Sequence, residues 1–193
     1  MRTRSSLFTA AALTLVASLI ATTANAATPS SAEPNGFWTT PTVQGYGNIH
    51  YLKDSAFKPQ PGNTYKVVFA LTQAPKQPDK VNPALDHVAR TVNLYVASGV
   101  PLSNLKFVAI TYGAATPLAL DDAHYRAAFG VPNPNLPLIA ELKKDGVTVA
   151  VCGQAVAEHH FQYDWVNSDV TLALSGLTTV TTLEQQGYAL MPL

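Results

Sequence analysis

Cys152, the only cysteine in the chain, is the residue with the clearest capacity for chemistry. It ends an apolar run at 147–152 and is followed by Gly153, Gln154 and a helix-forming segment that begins near Ala155. Unpaired backbone N–H groups and the positive end of a helix dipole favour an anion at such a position, so a thiolate is stabilised there. Gly153 leaves room for backbone or a second sulfur to approach. The sequence therefore predicts a reactive thiol at Cys152, supported by Gly153 and Gln154.

A second interpretation of Cys152 stays open. A lone cysteine on a buried strand often packs as a small hydrophobic side chain. Alternation along the strand places Cys152 on one face and Val151 on the other, but both faces of a parallel sheet are covered. Alternation therefore does not separate a reactive thiol from a core residue.

Three histidines are further candidates for chemistry. His159 and His160 follow Cys152 on the same predicted helix, and a cysteine with two histidines can in principle bind zinc or copper. Adjacent side chains project about 100° apart on a helix, so they do not easily face one ion. We predict no metal and no cofactor. His124 can donate a proton to a leaving sulfur, with a surface or subunit contact as the alternative.

Composition narrows the classes of protein. Of 193 residues only 12% are charged, and 12 Lys and Arg balance 12 Asp and Glu. The chain thus has no net charge to hold a polyanion, and we expect no nucleic-acid partner. It contains no dinucleotide-binding GxGxxG, no P-loop, no GxSxG elbow and no HExxH, so nucleotide-dependent enzymes, serine hydrolases and zinc proteases lose their usual support.

The first 26 residues have the pattern of a secretory signal peptide. Arg2 and Arg4 precede an apolar run at 7–20, and small residues lead to an Ala-Asn-Ala sequence that ends at Ala26. The run is short for a membrane span, which needs about 20 strongly apolar residues. We expect cleavage after Ala26, a periplasmic or secreted product, and no membrane attachment after cleavage.

A Pro/Gly-rich arm follows at 27–63, with scattered aromatic residues and no sustained period. We expect 27–35 to be disordered and 36–63 to pack onto the domain. A flexible tether is the alternative, although such tethers seldom carry so many aromatic residues.

From residue 64 to 193, short β-branched runs alternate with helical patterns. Helix signals include Asn82 before Pro83, Asp121 as a cap, and Gly130 and Gly146 as stops. The predicted strands lie at 65–71, 105–111, 147–152, 170–174 and 188–191. The predicted helices start at 83, 122, about 135, about 155 and 179. This alternation predicts a single-domain α/β fold with a mostly parallel sheet of about five strands and helices on both faces.

Sites in such sheets form outside the carboxyl ends of the strands. That rule selects the loops at 72–79, 112–122 and 152–155. Tyr163 and Trp165 belong to an aromatic loop before the fourth strand, for which we expect a cover over the core or a subunit contact. A lid over Cys152 is the alternative.

The stretch from Lys66 to Leu193 resembles the DsrE/DsrF-like family of sulfur-relay proteins. The resemblance rests on KVVFALT, ALDHVARTVNLYVASGV, LKFVAITYG, NPNLPLIAELKKDGV and VAVCGQA. It implies a parallel-sheet α/β unit, assembly as trimers or hexamers, and one cysteine that carries a persulfide, here Cys152. Many exported relatives have His-Gly where this chain has Tyr112-Gly113, which leaves an acid/base or ligand role for these two residues open.

Two functions follow from the residues and the resemblance together. The first is an exported sulfur carrier that binds sulfane sulfur on Cys152 and exchanges it with a small-molecule or protein partner. Whether it turns over as a sulfurtransferase stays open, because a carrier needs no catalytic base. The second is a non-catalytic oligomeric binding or scaffold module in which Cys152 is structural. Few surface charges favour a homo-oligomer in both cases.

Overall fold

Five parallel strands form one sheet through the middle of the protein. The computed structural model describes residues 33–193, so the predicted signal peptide and the cleavage position lie outside the described residues. In chain order the strands are β1 (Tyr65–Leu71), β2 (Leu105–Thr111), β3 (Thr148–Cys152), β4 (Thr171–Ala173) and β5 (Ala189–Pro192). They lie in the order β4-β3-β2-β1-β5, and every pairing is parallel. The predicted α/β class and parallel sheet are confirmed.

Five α-helices connect the strands: α1 (Pro83–Ala97), α2 (Asp122–Phe129), α3 (Leu136–Lys144), α4 (Gly153–Glu158) and α5 (Gly176–Gln185). Short 3₁₀ segments occupy Leu102–Asn104, Gly113–Ala119 and Tyr163–Trp165. The predicted caps act as expected. The Asn82 side chain accepts hydrogen bonds from the first turn of α1, Asp121 accepts one from the His124 N–H, and Gly130 ends α2 with φ 76°.

Two helices begin earlier than predicted, because the residue before each of them acts as an N-cap. Helix α4 starts at Gly153 rather than near Ala155, since Cys152 itself occupies the N-cap position. Helix α5 starts at Gly176 rather than Thr179, because the Ser175 hydroxyl accepts the Leu177 N–H at 3.2 Å. Both caps stand directly at the carboxyl ends of β3 and β4.

Helices cover both faces of the sheet. The larger core lies between the sheet and α1, α3 and α4, with Phe69 and Phe107 packed edge to face at its centre. On the other face α5 covers a smaller core, where Val180 and Leu183 pack against the buried cluster of Val68, Ile110 and Ala150. Burial of these side chains supplies the main stabilisation of the fold.

The N-terminal arm is packed against α1 where it is described. Val43 and Ile49 are buried, and Thr39 pairs with Ile49 as a short antiparallel bridge. Asn93, a buried residue of α1, forms hydrogen bonds with four backbone groups of the arm. Within residues 33–193 no helix is long and apolar enough to cross a membrane.

Candidate functional site

Cys152 lies at the carboxyl edge of the sheet, between the ends of two other strands. It pairs with Ala173 of β4, and on the other side β2 ends at Thr111, which pairs with Val151, the residue before Cys152. Its side chain is 5% exposed. The Ala155 N–H donates to Cys152 Sγ at 3.4 Å. The predicted placement of the thiol before a helix is thus observed, with one backbone donor directed at the sulfur.

Gly153 and Gln154 hold the end of β4 against Cys152. A Cβ atom on Gly153 would stand 2.9 Å from the Ala173 carbonyl oxygen, which is closer than such atoms approach in proteins. The Gln154 side chain donates to the Leu174 carbonyl oxygen at 3.1 Å. Glycine is needed at position 153 because the β4 backbone approaches it closely. The sequence suggested a different reason, room for backbone or a second sulfur to approach Cys152.

Tyr112 and Gly113 connect the end of β2 to two helices. The Tyr112 ring lies against Gly176 at the start of α5, where a Cβ atom would stand 2.9 Å from the ring. Gly113 adopts φ +58°, and its carbonyl oxygen accepts a hydrogen bond from His159 Nε2 at 2.9 Å. Both residues therefore position the loops around Cys152, and their acid/base or ligand role remains a prediction.

The described side-chain contacts of His124 are with Asp121 and Trp165. Its Nδ1 lies 2.9 Å from both carboxylate oxygens of Asp121, and its ring stacks on Trp165 with centroids 4.5 Å apart. None of the described contacts of His124 reaches Cys152. The proton-donor role of His124 therefore remains a prediction. Asp121 caps α2, and its ion pair with the His124 ring reinforces that cap.

The contact between Asp121 and His124 makes the stability of the protein at low pH depend on the Asp121 carboxyl. Partial burial raises the pKa of this carboxyl, but hydrogen bonds from the backbone and ring of His124 and the charge of that ring lower the pKa more, so it lies below the ordinary value. A lowered pKa contributes stability above the unfolded-state pKa that is lost as pH falls through the folded one. We expect Asp121→Asn, which keeps the cap, to flatten the fall in stability below about pH 4. Urea denaturation between neutral and acid pH measures this, and an unchanged slope would contradict it.

No cluster of three or more His, Cys, Asp or Glu side chains occurs among residues 33–193 in a position to hold a metal ion. His159 is bonded to the Gly113 carbonyl, while His160 is exposed at φ 58°. Cys152, His159 and His160 therefore do not form a cluster of ligands within the described residues.

A small hollow of about 280 Å³ adjoins Cys152 on the β4 side. It is lined by Gly153, Gln154, Tyr163 and residues 172–174. Of the two aromatic residues considered as a lid, Tyr163 borders this hollow, whereas Trp165 is stacked on His124. Cys152 is not among the lining residues, but its chain neighbour Gly153 and its β4 partner Ala173 are.

Sequence reasoning missed the groups that β4 contributes to the site. The Ala173 and Leu174 carbonyl oxygens lie against Gly153 and Gln154 at the start of α4. The local signal in this segment is Ser175 before Gly176, a capping residue that marks the start of α5.

One solved structure has a similar fold. A solved structure of a protein of unknown function from Methanobacterium thermoautotrophicum superposes with a TM-score of 0.50 at 17% identity, covering 67% of this chain and 99% of that one. At that identity the likeness shows a shared fold alone. No curated protein matches the chain.

The sequence pattern of the DsrE/DsrF-like family matches residues 65–193, which is two thirds of the chain and runs from the first residue of β1 to the end. The matched region includes Cys152 and every strand of the sheet. The resemblance stated from the sequence is confirmed, and the chain belongs to the DsrE/DsrF-like family.

Proposed function

We propose that this protein is an exported sulfur carrier that holds sulfane sulfur as a persulfide on Cys152. Membership of the DsrE/DsrF-like family supports sulfur relay in general terms. The observation that carries the finer proposal is the Ala155 N–H directed at Cys152 Sγ at 3.4 Å. A backbone donor at that distance stabilises negative charge on sulfur without any side-chain acid or base.

The transfer step balances without an added oxidant. The Cys152 thiolate attacks a sulfane sulfur of an inorganic polysulfide, a new S–S bond forms, and the polysulfide S–S bond breaks. The electron pair of the broken bond leaves with a polysulfide anion one sulfur shorter, and the thiol proton passes to solvent. In delivery an acceptor thiolate attacks the outer sulfur and the Cys152 thiolate is released. The Ala155 N–H faces the sulfur that carries charge before loading and after delivery.

Burial sets a requirement on this chemistry. Because Cys152 is 5% exposed, a donor reaches the sulfur only after the chain beside it moves. Strand β4, at the edge of the sheet, has three residues, so its displacement breaks few ladder hydrogen bonds.

Intact mass of the wild-type protein tests both loading and export. Protein produced in an exporting bacterial host is treated with polysulfide, with and without subsequent reductant. Loading predicts a gain of whole sulfur atoms that reductant removes, and export predicts a chain that begins at Ala27. A thiol that gains no sulfur and alkylates only after unfolding supports the alternative in which Cys152 is structural.

A second proposed property is assembly into a homo-oligomer, a trimer or hexamer. Around the carboxyl end of β4 the side chains of Leu172, Leu174 and Leu177 are 46%, 73% and 78% exposed. Three neighbouring exposed leucines beside an edge strand form an apolar patch of the kind that protein interfaces cover. The alternative function, a non-catalytic scaffold module, also involves a homo-oligomer, which the same patch could hold together.

Charge placed on this patch is expected to dissociate the oligomer. In the double variant Leu174→Glu and Leu177→Glu, like charges on every subunit meet at the interface, and we expect monomers at concentrations where the wild type is assembled. Sedimentation velocity measures this. Leu52→Glu, which charges an exposed leucine of the arm, is the matched control and is expected to stay assembled. A monomeric wild type, or an assembled double variant, contradicts the proposal.

A further inference from the structure

A second cavity, separate from the hollow beside Cys152, opens at the carboxyl edge of the sheet over β1 and β2. Its volume is about 380 Å³, within the range of about 300–1,000 Å³ found for small-molecule sites. The walls come from the loop after β1, the 3₁₀ segment Gly113–Ala119, helix α2 and the segment after α4. Carboxyl ends of parallel strands are where ligands bind in open α/β sheets.

The lining is apolar and aromatic. Tyr125 packs on Phe129 with centroids 4.6 Å apart, and His159 stacks on Phe161 at 5.3 Å. The remaining lining residues, apart from Asn135, are three prolines, three alanines and a leucine: Pro75, Pro78, Pro117, Ala74, Ala114, Ala115 and Leu118. No Asp, Glu, Lys or Arg is among the lining residues, all of which lie in the described chain. An ionised ligand would lose its hydration there without a counter-charge, so the cavity selects an uncharged molecule.

The walls are fixed by hydrogen bonds before any ligand enters. The Tyr125 hydroxyl donates to the Pro78 carbonyl oxygen at 2.8 Å, which joins α2 to the loop after β1. Buried Asn135 donates to Asn133 Oδ1 and accepts the Asn82 N–H at 2.8 Å. Asn133 in turn donates to the Leu118 and Leu120 carbonyl oxygens. Because the cavity is preformed, ligand binding loses little free energy to the ordering of its side chains.

His159 supplies a hydrogen-bond acceptor. Its Nε2 lies 2.9 Å from the Gly113 carbonyl oxygen, and because a carbonyl only accepts, the proton of the neutral ring is on Nε2. Nδ1 then carries a lone pair that no described hydrogen bond within residues 33–193 uses, and because His159 is exposed this acceptor is open to solvent in the free protein. A ligand that brings one O–H or N–H donor satisfies it.

We propose that this cavity binds a small, uncharged aromatic molecule with one hydrogen-bond donor, whose ring lies among the prolines and aromatic side chains and whose donor meets His159 Nδ1. The assignment does not rest on Cys152, so its success or failure is separate from that of the sulfur-carrier proposal.

Para-cresol is the probe, with 4-methylanisole as the analogue that lacks the donor and benzoate as the charged analogue. Titrations followed by two-dimensional amide NMR on the full-length mature protein are expected to show saturable p-cresol binding with shifts at residues 113–118 and 159–161. Loss of one hydrogen bond of about 1–1.5 kcal/mol predicts binding of 4-methylanisole weaker by about five- to tenfold. Benzoate is expected to bind weaker still.

Variants locate the site and the acceptor. Ala114→Trp and Ala74→Trp, at two exposed lining positions, fill the cavity and are expected to abolish p-cresol binding. His159→Phe keeps an aromatic ring and removes the acceptor, so p-cresol and 4-methylanisole should bind alike. His87→Phe, on an exposed position of α1, and Cys152→Ser should bind p-cresol as the wild type does. No saturable p-cresol binding, binding unaffected by both tryptophans, or tighter binding of benzoate overturns the proposal.

Discussion

Treated with polysulfide, the Cys152→Ser protein is expected to gain no reductant-removable sulfur, whereas the wild type gains at least one atom. The chain has a single cysteine, so a persulfide has no alternative position. A serine hydroxyl is almost fully protonated at neutral pH and forms no stable bond to sulfane sulfur. Intact mass with and without reductant measures the difference, which is expected to be all or none.

The hydrogen bond to the sulfur can be tested with the cysteine in place. Ala155→Pro removes the N–H that donates to Cys152 Sγ, and proline is tolerated in the first turn of a helix. A hydrogen bond to a charged group contributes about 1.5–3 kcal/mol. Because a less stabilised thiolate is a better nucleophile, about half of this is offset, so we expect loading slower by about three- to twelvefold. Circular dichroism and thermal melting establish that the variant is folded. Equal loading rates in folded Ala155→Pro and wild type would show that this donor plays no part.

Local signals predicted the elements that end at the site. Strands β1 and β2 have the bounds expected from their apolar β-branched runs, because buried parallel strands need no alternation and stop where the apolar run stops. The caps Asn82 and Asp121 were predicted from residue type, and the structure gives each its hydrogen bonds. These features depend on residues within one turn of each other.

The surroundings of Cys152 were not predictable in the same way. The Ala173 carbonyl oxygen lies against Gly153, and His159 binds Gly113 across 46 residues of sequence. Both contacts exist because β3 lies between β2 and β4, and strand order is set by crossovers rather than by local residue type. The sequence placed the sulfur correctly, but its neighbours required the topology.

Asn93 is a buried polar residue of α1 that the spacing of apolar residues in the sequence does not reveal. The apolar residues Leu85, Val88 and Val92 recur at helical spacing and are buried in α1, and Asn93 is buried among them. It is fully buried, and it lies four residues after buried Ala89 on the same stripe of the helix. An asparagine on a core-facing stripe is a signal that the helix packs against backbone rather than side chains.

Replacing Asn93 with leucine is expected to destabilise the protein by about 3 kcal/mol or more. Asn93 Oδ1 accepts the Thr42 and Val43 N–H groups at 3.0 and 2.9 Å. Its Nδ2 donates to the Tyr46 and Gly47 carbonyl oxygens, both at 2.9 Å. Leucine leaves these four groups without a partner, and each buried unsatisfied group costs about 1–3 kcal/mol. Urea denaturation measures the loss, with His87→Leu on an exposed position of the same helix as the matched control.

The loss should take the form of release of the arm rather than collapse of the sheet. The arm approaches α1 so closely at Gly47 that a Cβ atom there would stand 2.1 Å from the Arg90 backbone nitrogen, so Gly47→Ala is expected to release it as well. Released backbone regains its hydrogen bonds from water, which limits the cost and exposes residues 33–63 to protease. Limited proteolysis should then cut both variants within this segment and leave a core from about residue 64 that still loads sulfur on Cys152, because the family match begins at residue 65. If Asn93→Leu loses less than about 1 kcal/mol and its arm resists protease as the wild-type arm does, these four hydrogen bonds do not hold the arm in place.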